Sequence, residues 1–400
     1  MSCPDSDGWT TTRTVDAANG SPDDSVWSRL VGQRPVIGTL RRAVEGKEMT
    51  HAWLFTGPPG SGRSNAAMAF AAALQCAQGG CGACQACRTA LAGSHGDVSI
   101  TRTEKLSIGV DDMRDLVRRA SLSPVGHRWQ IMIIEDADRL TEQAGNALLK
   151  SIEEPTRRTV WLLCAPTVED VLPTIRSRCR LVVLSTPSPA DVTEFLVDRE
   201  GVPKGVASYA ARASQGHIGR ARALAKDEDT RNRRREVVSI PTKLTSLGAC
   251  MNAAANLHDV TKEEAAAITV ELDLLEKQSL DQSYGVVERG RRPKSYPPAL
   301  KELERGQKLR AKRRHLDVID RGLMDLVSVY RDAVALQTGA SGALVNEEIR
   351  GEVEQLARTS TPEQNLRRID AVFASREQML EHNAAPLLAL EAMMLALRVT

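Results

Sequence analysis

The stretch Gly57-Pro58-Pro59-Gly60-Ser61-Gly62-Arg63-Ser64 constrains this chain more than any other. An apolar run, residues 52–55, precedes it, and an Ala-rich helical run, residues 65–74, follows. Strand, glycine loop and helix in that order are the setting a phosphate-binding loop requires. The glycines Gly57, Gly60 and Gly62 let backbone N–H groups, including that of Ser61, turn inward around phosphate oxygens, and the helix N-terminus adds its positive end. Ser64 supplies the hydroxyl that binds Mg²⁺, but Arg63 stands where a lysine ordinarily reaches the β- and γ-phosphates. Arg keeps the charge and exchanges a compact ammonium for a wide planar fork. The stretch reads as a nucleotide cradle that has lost its lysine. A Gly/Pro turn with no ligand is the alternative.

Around this loop the first half of the chain alternates strands and helices. Residues 98–103, 130–134, 159–164 and 180–184 read as strands, and 109–120 and the segment after Thr141 as helices. Thr141 can cap the second of these. Alternation at this spacing predicts a parallel α/β sheet. The strand at 130–134 ends in Glu135 and Asp136, which is the arrangement that holds Mg²⁺ beside a phosphate loop. Arg114, Arg118 and Arg119 share one helix face, which reads as a solvated face or as a phosphate contact.

Between the loop helix and the next strand lie Cys76, Cys81, Cys84 and Cys87, spaced C-x4-C-x2-C-x2-C. Four thiolates at this spacing close a tetrahedral zinc shell, and a closed four-sulfur shell is structural because it leaves no open position. Redox chemistry explains one CxxC but not three interlocked thiols and a fourth.

With 400 residues, the chain has room for two or three domains. Aromatics make up 3%, which favours helices over sandwiches, and a net charge of +2 makes any nucleic-acid surface local rather than global. Residues 1–25 have no apolar core and read as a disordered tail, with no signal peptide. Residues 387–397 are too short to span a bilayer and contain Glu391. A cytoplasmic location is expected, where cysteines seldom form disulfides.

Thr186-Pro187-Ser188-Pro189 breaks the α/β pattern. Beyond it, residues 190–225 read as a small helical unit, 226–235 as an arginine-rich linker, and the chain from about 245 as helical, interrupted at 285–298. Leu316, Ile319, Leu323, Leu326, Tyr330 and Val334 form a packing stripe. Residues 289–314 carry eleven Lys or Arg against Glu302 and Glu304. That run is a solvated helix face or, in a zinc-ribbon DNA-binding reading, a phosphate contact.

Several anchors fall in one order: Val31-Gly32-Gln33, the glycine loop, the four cysteines, Asn146 to Pro155, Ser177-Arg178-Cys179, and Gly219-Arg220. Together they resemble the bacterial clamp-loader branch of the AAA+ proteins, specifically over residues 26–225 and by helical pattern beyond. The resemblance implies an AAA+ α/β domain (26–186), with helices on both faces of the sheet and the zinc insert at 76–87. It also implies a helical lid domain with its linker (187–245) and an all-α collar (246–400) that joins subunits in a ring. It makes Gly57 to Ser64 the Walker A position, Glu135-Asp136 the Walker B position, Arg178 an arginine finger and Arg220 a second sensor arginine.

The resemblance further implies gamma/tau and delta subunits in a hetero-pentamer, a sliding clamp and primer-template DNA as partners. ATP with Mg²⁺ is the expected cofactor, at a degenerate site. This chain departs from the family's motor subunits at Arg63, at the order Glu135 then Asp136, and at Ala165-Pro166, where only Thr167 supplies a nearby hydroxyl. A subunit whose own ATPase is weak or absent, and which acts on a neighbour's site through Arg178, is the expectation. An ATP-hydrolysing gamma/tau-like motor subunit is the alternative.

Overall fold

The computed structural model describes residues 25–103, 107–126, 128–284 and 293–398; the expected tail, but for Ser25, lies outside them. Strands β1 (Ala52–Thr56), β2 (Val98–Thr101), β3 (Gln130–Ile134), β4 (Thr159–Ala165) and β5 (Arg180–Val183) form one sheet in the order β2-β3-β4-β1-β5. Every pairing is parallel, with Leu54 of β1 opposite Leu163 of β4 and Leu181 of β5. The inner strands β1, β3 and β4 are buried throughout and apolar but for Thr56, Gln130 and Thr159, because a parallel sheet is covered on both faces.

Alternate residues divide between two cores. Trp53, Phe55, Ile131, Ile133 and Leu162 face α1 (Arg34–Val44) and α2 (Arg63–Gln75). Ala66 to Leu74 of α2 are all buried, and their small alanines let the helix lie close to the sheet. Phe70 packs edge-on to Trp53 at 5.0 Å between ring centroids. After α3 (Gln85–Leu91), helices α4 (Val110–Ala120), α5 (Glu142–Glu153) and α6 (Pro173–Arg176) cover Leu54, Met132, Ile134, Trp161 and Leu163 on the other face. Thr141 caps α5 by accepting from the Ala144 N–H at 3.2 Å.

A second unit contains α7 (Pro189–Glu200), α8 (Lys204–Ala213) and α9 (Ile218–Lys226), packed through Val192, Leu196, Ala207, Ala211 and Leu224. Ser188 and Asp191 form a capping box at the start of α7, and Pro189 takes the first helical position, where its missing N–H does no harm. The arginine-rich segment expected as a linker is instead a helix, α10 (Glu228–Val238). It has little apolar stripe to read; the Asp227 carboxylate caps it by accepting from the N–H groups of Asp229 and Thr230, and Arg234 is buried.

The remainder is helical: α11 (Leu247–Ser283), α12 (Tyr296–Gln337), α13 (Arg350–Thr359), α14 (Pro362–Leu380) and α15 (Pro386–Leu397). Leu257, Ile319, Leu323, Leu326 and Tyr330 lie in its core. With 42 residues, α12 is about 63 Å long. Pro297 and Pro298 sit in its first turn, where proline is tolerated, so the helix begins inside the expected interruption. Arg289, Arg291 and Arg292 lie outside the described residues. Among the described residues, no helix is long and apolar enough to cross a membrane.

Candidate functional site

The glycine loop has the backbone of a phosphate cradle. Gly57, Gly60 and Gly62 have φ of 155°, 85° and 93°, and Gly62 leads directly into α2. A Cβ on Gly57 would lie 2.6 Å from the Leu184 carbonyl oxygen, so only glycine fits. At Gly60 a Cβ would lie 2.4 to 2.6 Å from His217, at the start of α9. The group that approaches Gly60 closely is therefore a side chain of the chain's own second helical unit.

Arg63 bends back over the loop and donates from Nη1 to the Gly57 carbonyl at 2.8 Å. Buried Gln33 ties the loop's surroundings together: Nε2 donates to the Ser185 carbonyl at 2.6 Å, and Oε1 accepts from the Ser185 N–H at 3.3 Å. The Ser61 hydroxyl is buried without a hydrogen-bond partner among the described residues. The loop's shape thus fits a phosphate group, whereas its side chains, as folded, do not.

His217 is held neutral. Burial pushes its pKa down, and the charges of Arg220 and Arg321 add to the effect. Its Nδ1 accepts from the Arg220 N–H at 3.2 Å, which places the ring proton on Nε2.

The two acids at the end of β3 already have arginine partners. Glu135 is gripped by both ends of the Arg102 fork, at 2.7 and 3.0 Å. Asp136 faces Arg313 of α12 at 3.8 Å. Burial, with Asp136 adding, pushes the neighbouring Asp138 carboxyl up against the pull of Arg139 and Arg63. The Cys164 thiol at the end of β4 is pushed up by burial and by Glu135, with Arg63 opposing. Acids and Arg63 therefore converge at one end of the sheet, but Mg²⁺ would have to displace guanidinium groups to reach Glu135 or Asp136.

Arg220 is not brought to this loop. Its guanidinium meets Asp325 of α12, whose other oxygen accepts from Arg234 Nε at 3.1 Å. Arg178 lies in the turn between α6 and β5. It pairs with Glu153 at 2.5 Å and donates to the Thr174 carbonyl at 2.8 Å and the Ser177 hydroxyl at 3.1 Å. Its side chain is 38% exposed. Burial pushes the adjacent Cys179 thiol up to about 12.

Cys76, Cys81, Cys84 and Cys87 converge, with their sulfurs all within 4.8 Å of one another. Cys76 Sγ lies 3.7 Å from Cys81 Sγ and 3.8 Å from Cys84 Sγ. A tetrahedron with Zn–S bonds of about 2.3 Å has edges of about 3.8 Å, so the cluster has room for one such ion. Gly79, Gly80 and Gly82, at φ of 68°, 110° and 78°, make the turns between the first two ligands and after the second. Burial pushes the Cys76 thiol up, but the N–H groups of Cys81, Gly80 and Gln78 outweigh it and draw the pKa down to about 6. Burial pushes Cys84 and Cys87 up. The insert is anchored by the Val26 N–H donating to the Gly80 carbonyl at 3.1 Å and Trp27 Nε1 donating to the Gly79 carbonyl at 3.3 Å.

The basic run on α12 is divided. Arg310 is buried against Glu276 and Asp273, and Arg313 turns to Asp136 and the Thr103 carbonyl. Lys294, Lys301, Arg305, Lys308, Lys312 and Arg314 are exposed.

The sequence offered Gln33 only as part of a family anchor and Arg313 only as part of the basic run, and it assigned no role to Arg102 or His217. The anchor Val31-Gly32-Gln33 marked Gln33 without giving its bonds to Ser185, whereas the contact of Arg313 with Thr103 spans 210 residues and leaves no local signal.

A five-stranded parallel sheet with a glycine loop after β1, next to the edge strand β5, followed by a small helical unit and a helical C-terminal region, is an AAA+-type fold. Residues 32–188 match the family described as DNA polymerase III, delta subunit. Over this region the chain is similar to clamp-loader proteins. DNA polymerase III subunit gamma/tau of Mycobacterium tuberculosis is 37% identical over 191 residues, 46% of this chain and 33% of that protein. Subunit delta' of Pseudomonas aeruginosa is 36% identical over 179 residues, 43% of this chain and 50% of that protein. Subunit delta' of Bacillus subtilis is 29% identical over 181 residues, 44% and 55% respectively. The chain thus spans about half the length of these delta' relatives and a third of the gamma/tau relative.

Proposed function

We propose that this chain is a delta'-type subunit of the DNA polymerase III clamp loader. In this reading it assembles with gamma/tau and delta subunits in a hetero-pentamer and helps open a sliding clamp and place it on primer-template DNA. Its own ATPase is weak or absent, so its enzymatic role is that of a component of the polymerase holoenzyme. The observation that carries the reading is the state of the cradle: Arg63 bonded to the Gly57 carbonyl, and His217 packed on Gly60. Both acids are also held by arginines, while Arg178 stays at the surface. Such an arrangement suits a subunit that supplies a guanidinium to a neighbour's ATP and hydrolyses none itself.

The four cysteines hold a structural zinc in this reading. The closed shell ties down the insert after α2 and leaves no position for a substrate.

The second reading is a gamma/tau-like motor subunit, and the observation that favours it is the 37% identity to a gamma/tau protein. The two readings separate on co-expression with the organism's other loader subunits. A delta'-type chain enters the complex at one copy, and the isolated chain does not turn over ATP. Turnover by the isolated chain, or entry at several copies, would establish the motor reading instead.

A further inference from the structure

A groove of about 830 Å³ lies beside the closed cradle, between the second helical unit, α12 and α14. Pro59 of the glycine loop and His217 reach its edge. Its floor is apolar, made by buried Val318 and Val327 and by Ile369, and Phe373 stands at its side with 44% exposure. Arg220, Arg314, Arg321, Arg331 and Arg376 line it against Asp317 and Asp320, an excess of three positive charges.

Three of these arginines are committed within the fold. Arg220 holds Asp325, Arg321 reaches Glu264 at 3.2 Å, and Arg376 reaches Asp320 at 2.5 Å. The other two are not. Arg314 makes no hydrogen bond or close ion pair among the described residues, its charge acting only at longer range on Asp317, and Arg331 donates to the neutral amide oxygen of Gln215, at 3.3 Å. Along α12, Arg314 and Arg321 are two turns apart on one face, and Arg331 lies about 26 Å from Arg314 along the axis.

We propose that this groove is a track for a short segment of single-stranded nucleic acid, distinct from the glycine loop. Cations spread over that length match phosphates several nucleotides apart on an extended strand and exceed the reach of one mononucleotide. An exposed phenylalanine on an apolar floor between them gives a base a face to stack on, and a cationic groove with an aromatic platform is how proteins hold single strands without reading sequence. Arg314 and Arg331 contact the phosphates, Phe373 stacks a base, and the paired arginines Arg321 and Arg376 supply field. The inference does not depend on the chain's being a delta'-type subunit.

The test is fluorescence anisotropy of a labelled ten-nucleotide oligothymidylate with the full chain at low salt, with an oligouridylate of the same length to separate DNA from RNA. The double variant Arg314→Glu/Arg331→Glu should weaken binding at least tenfold. It should also flatten the dependence of log affinity on log salt by about 1.4, the loss of two single-strand phosphate contacts. Phe373→Ala should weaken binding about tenfold, because base–aromatic stacking is sequence-tolerant and substantial. Lys301→Glu/Lys308→Glu, on the same helix outside the groove, should leave binding within twofold. Three results would overturn the proposal: no binding of either oligonucleotide, binding abolished by the Lys301/Lys308 variant but not by the Arg314/Arg331 variant, or equal competition by free ATP, which marks a mononucleotide site.

Discussion

Replacing Asp325 by Asn tests whether the second helical unit and the C-terminal helices are bolted together by buried charge. Asp325 is 3% exposed and accepts from both Arg220 of α9 and Arg234 of α10. Arg234, itself 4% exposed, also reaches Glu348 at 2.6 Å and Asn346 at 2.5 Å. Buried Asn346 is fixed in turn by donating to the Ser328 hydroxyl at 3.0 Å and the Asp332 carboxylate at 2.9 Å. Asn keeps the shape of Asp325 and removes its charge. Arg220 is then left without a counter-charge, and Arg234 keeps Glu348 alone.

Removing one partner of a buried ion pair costs about 3–5 kcal/mol. Arg220 retains some contact with water, its side chain being 12% exposed, which favours the lower end, about 3 kcal/mol. For a cooperative unit of 150–250 residues, that is a fall in Tm of roughly 6–12 °C. Differential scanning calorimetry measures the shift, and amide hydrogen exchange locates it. Protection should fall in α9 and α10 and remain in β1, β3 and β4, whose ladder lies in another core. A shift below about 2 °C with unchanged exchange in α9 and α10 would falsify the bolt, since that is within the range of ordinary surface substitutions.

Metal analysis of protein purified without added zinc should return about one equivalent per chain. Cys84→Ser/Cys87→Ser should abolish it; full occupancy in that variant would refute the four-sulfur shell. In a reconstituted loader, Arg178→Ala should fold and assemble but lose hydrolysis at the one site facing this subunit, where a finger contributes about 10³–10⁵ in rate. Unchanged ATPase and clamp loading would remove the finger role. Arg63→Lys should not create an ATPase in the isolated chain, because Arg102 and Arg313 still hold Glu135 and Asp136; brisk turnover measured by phosphate release would contradict this. Burial, Arg220 and Arg321 hold the His217 pKa below its ordinary value of about 6.5, so on acidification the unfolded chain takes up this proton first. The contribution is complete above pH about 6.5 and is lost as pH falls towards the lowered value. His217→Gln should therefore flatten the acid limb of a Tm–pH profile, and an unaltered limb would argue against a neutral buried ring.

What the sequence determined by itself lies close together in the chain. Strand periodicity, the glycine loop and the cysteine quartet each complete their pattern within about a dozen residues, so composition and spacing suffice to read them. The five strands could be read because a sheet covered on both faces demands apolar runs such as those of β3 and β4. The helix α10 was hidden because charge rather than an apolar stripe holds it, with the Asp227 cap at one end and buried Arg234 inside.

The state of the candidate site was decided by tertiary structure alone. That Arg63 turns onto Gly57, that His217 fills the space above Gly60, and that Arg313 reaches Asp136 from a helix 177 positions further along all follow from how the three units stack. The same holds for Arg220, which its motif points towards a nucleotide and the fold turns towards Asp325. An arginine carries its charge into any environment, and which carboxylate it meets depends on the layer laid against it. A motif fixes the residue types present at a site, and the packing of distant elements fixes their partners.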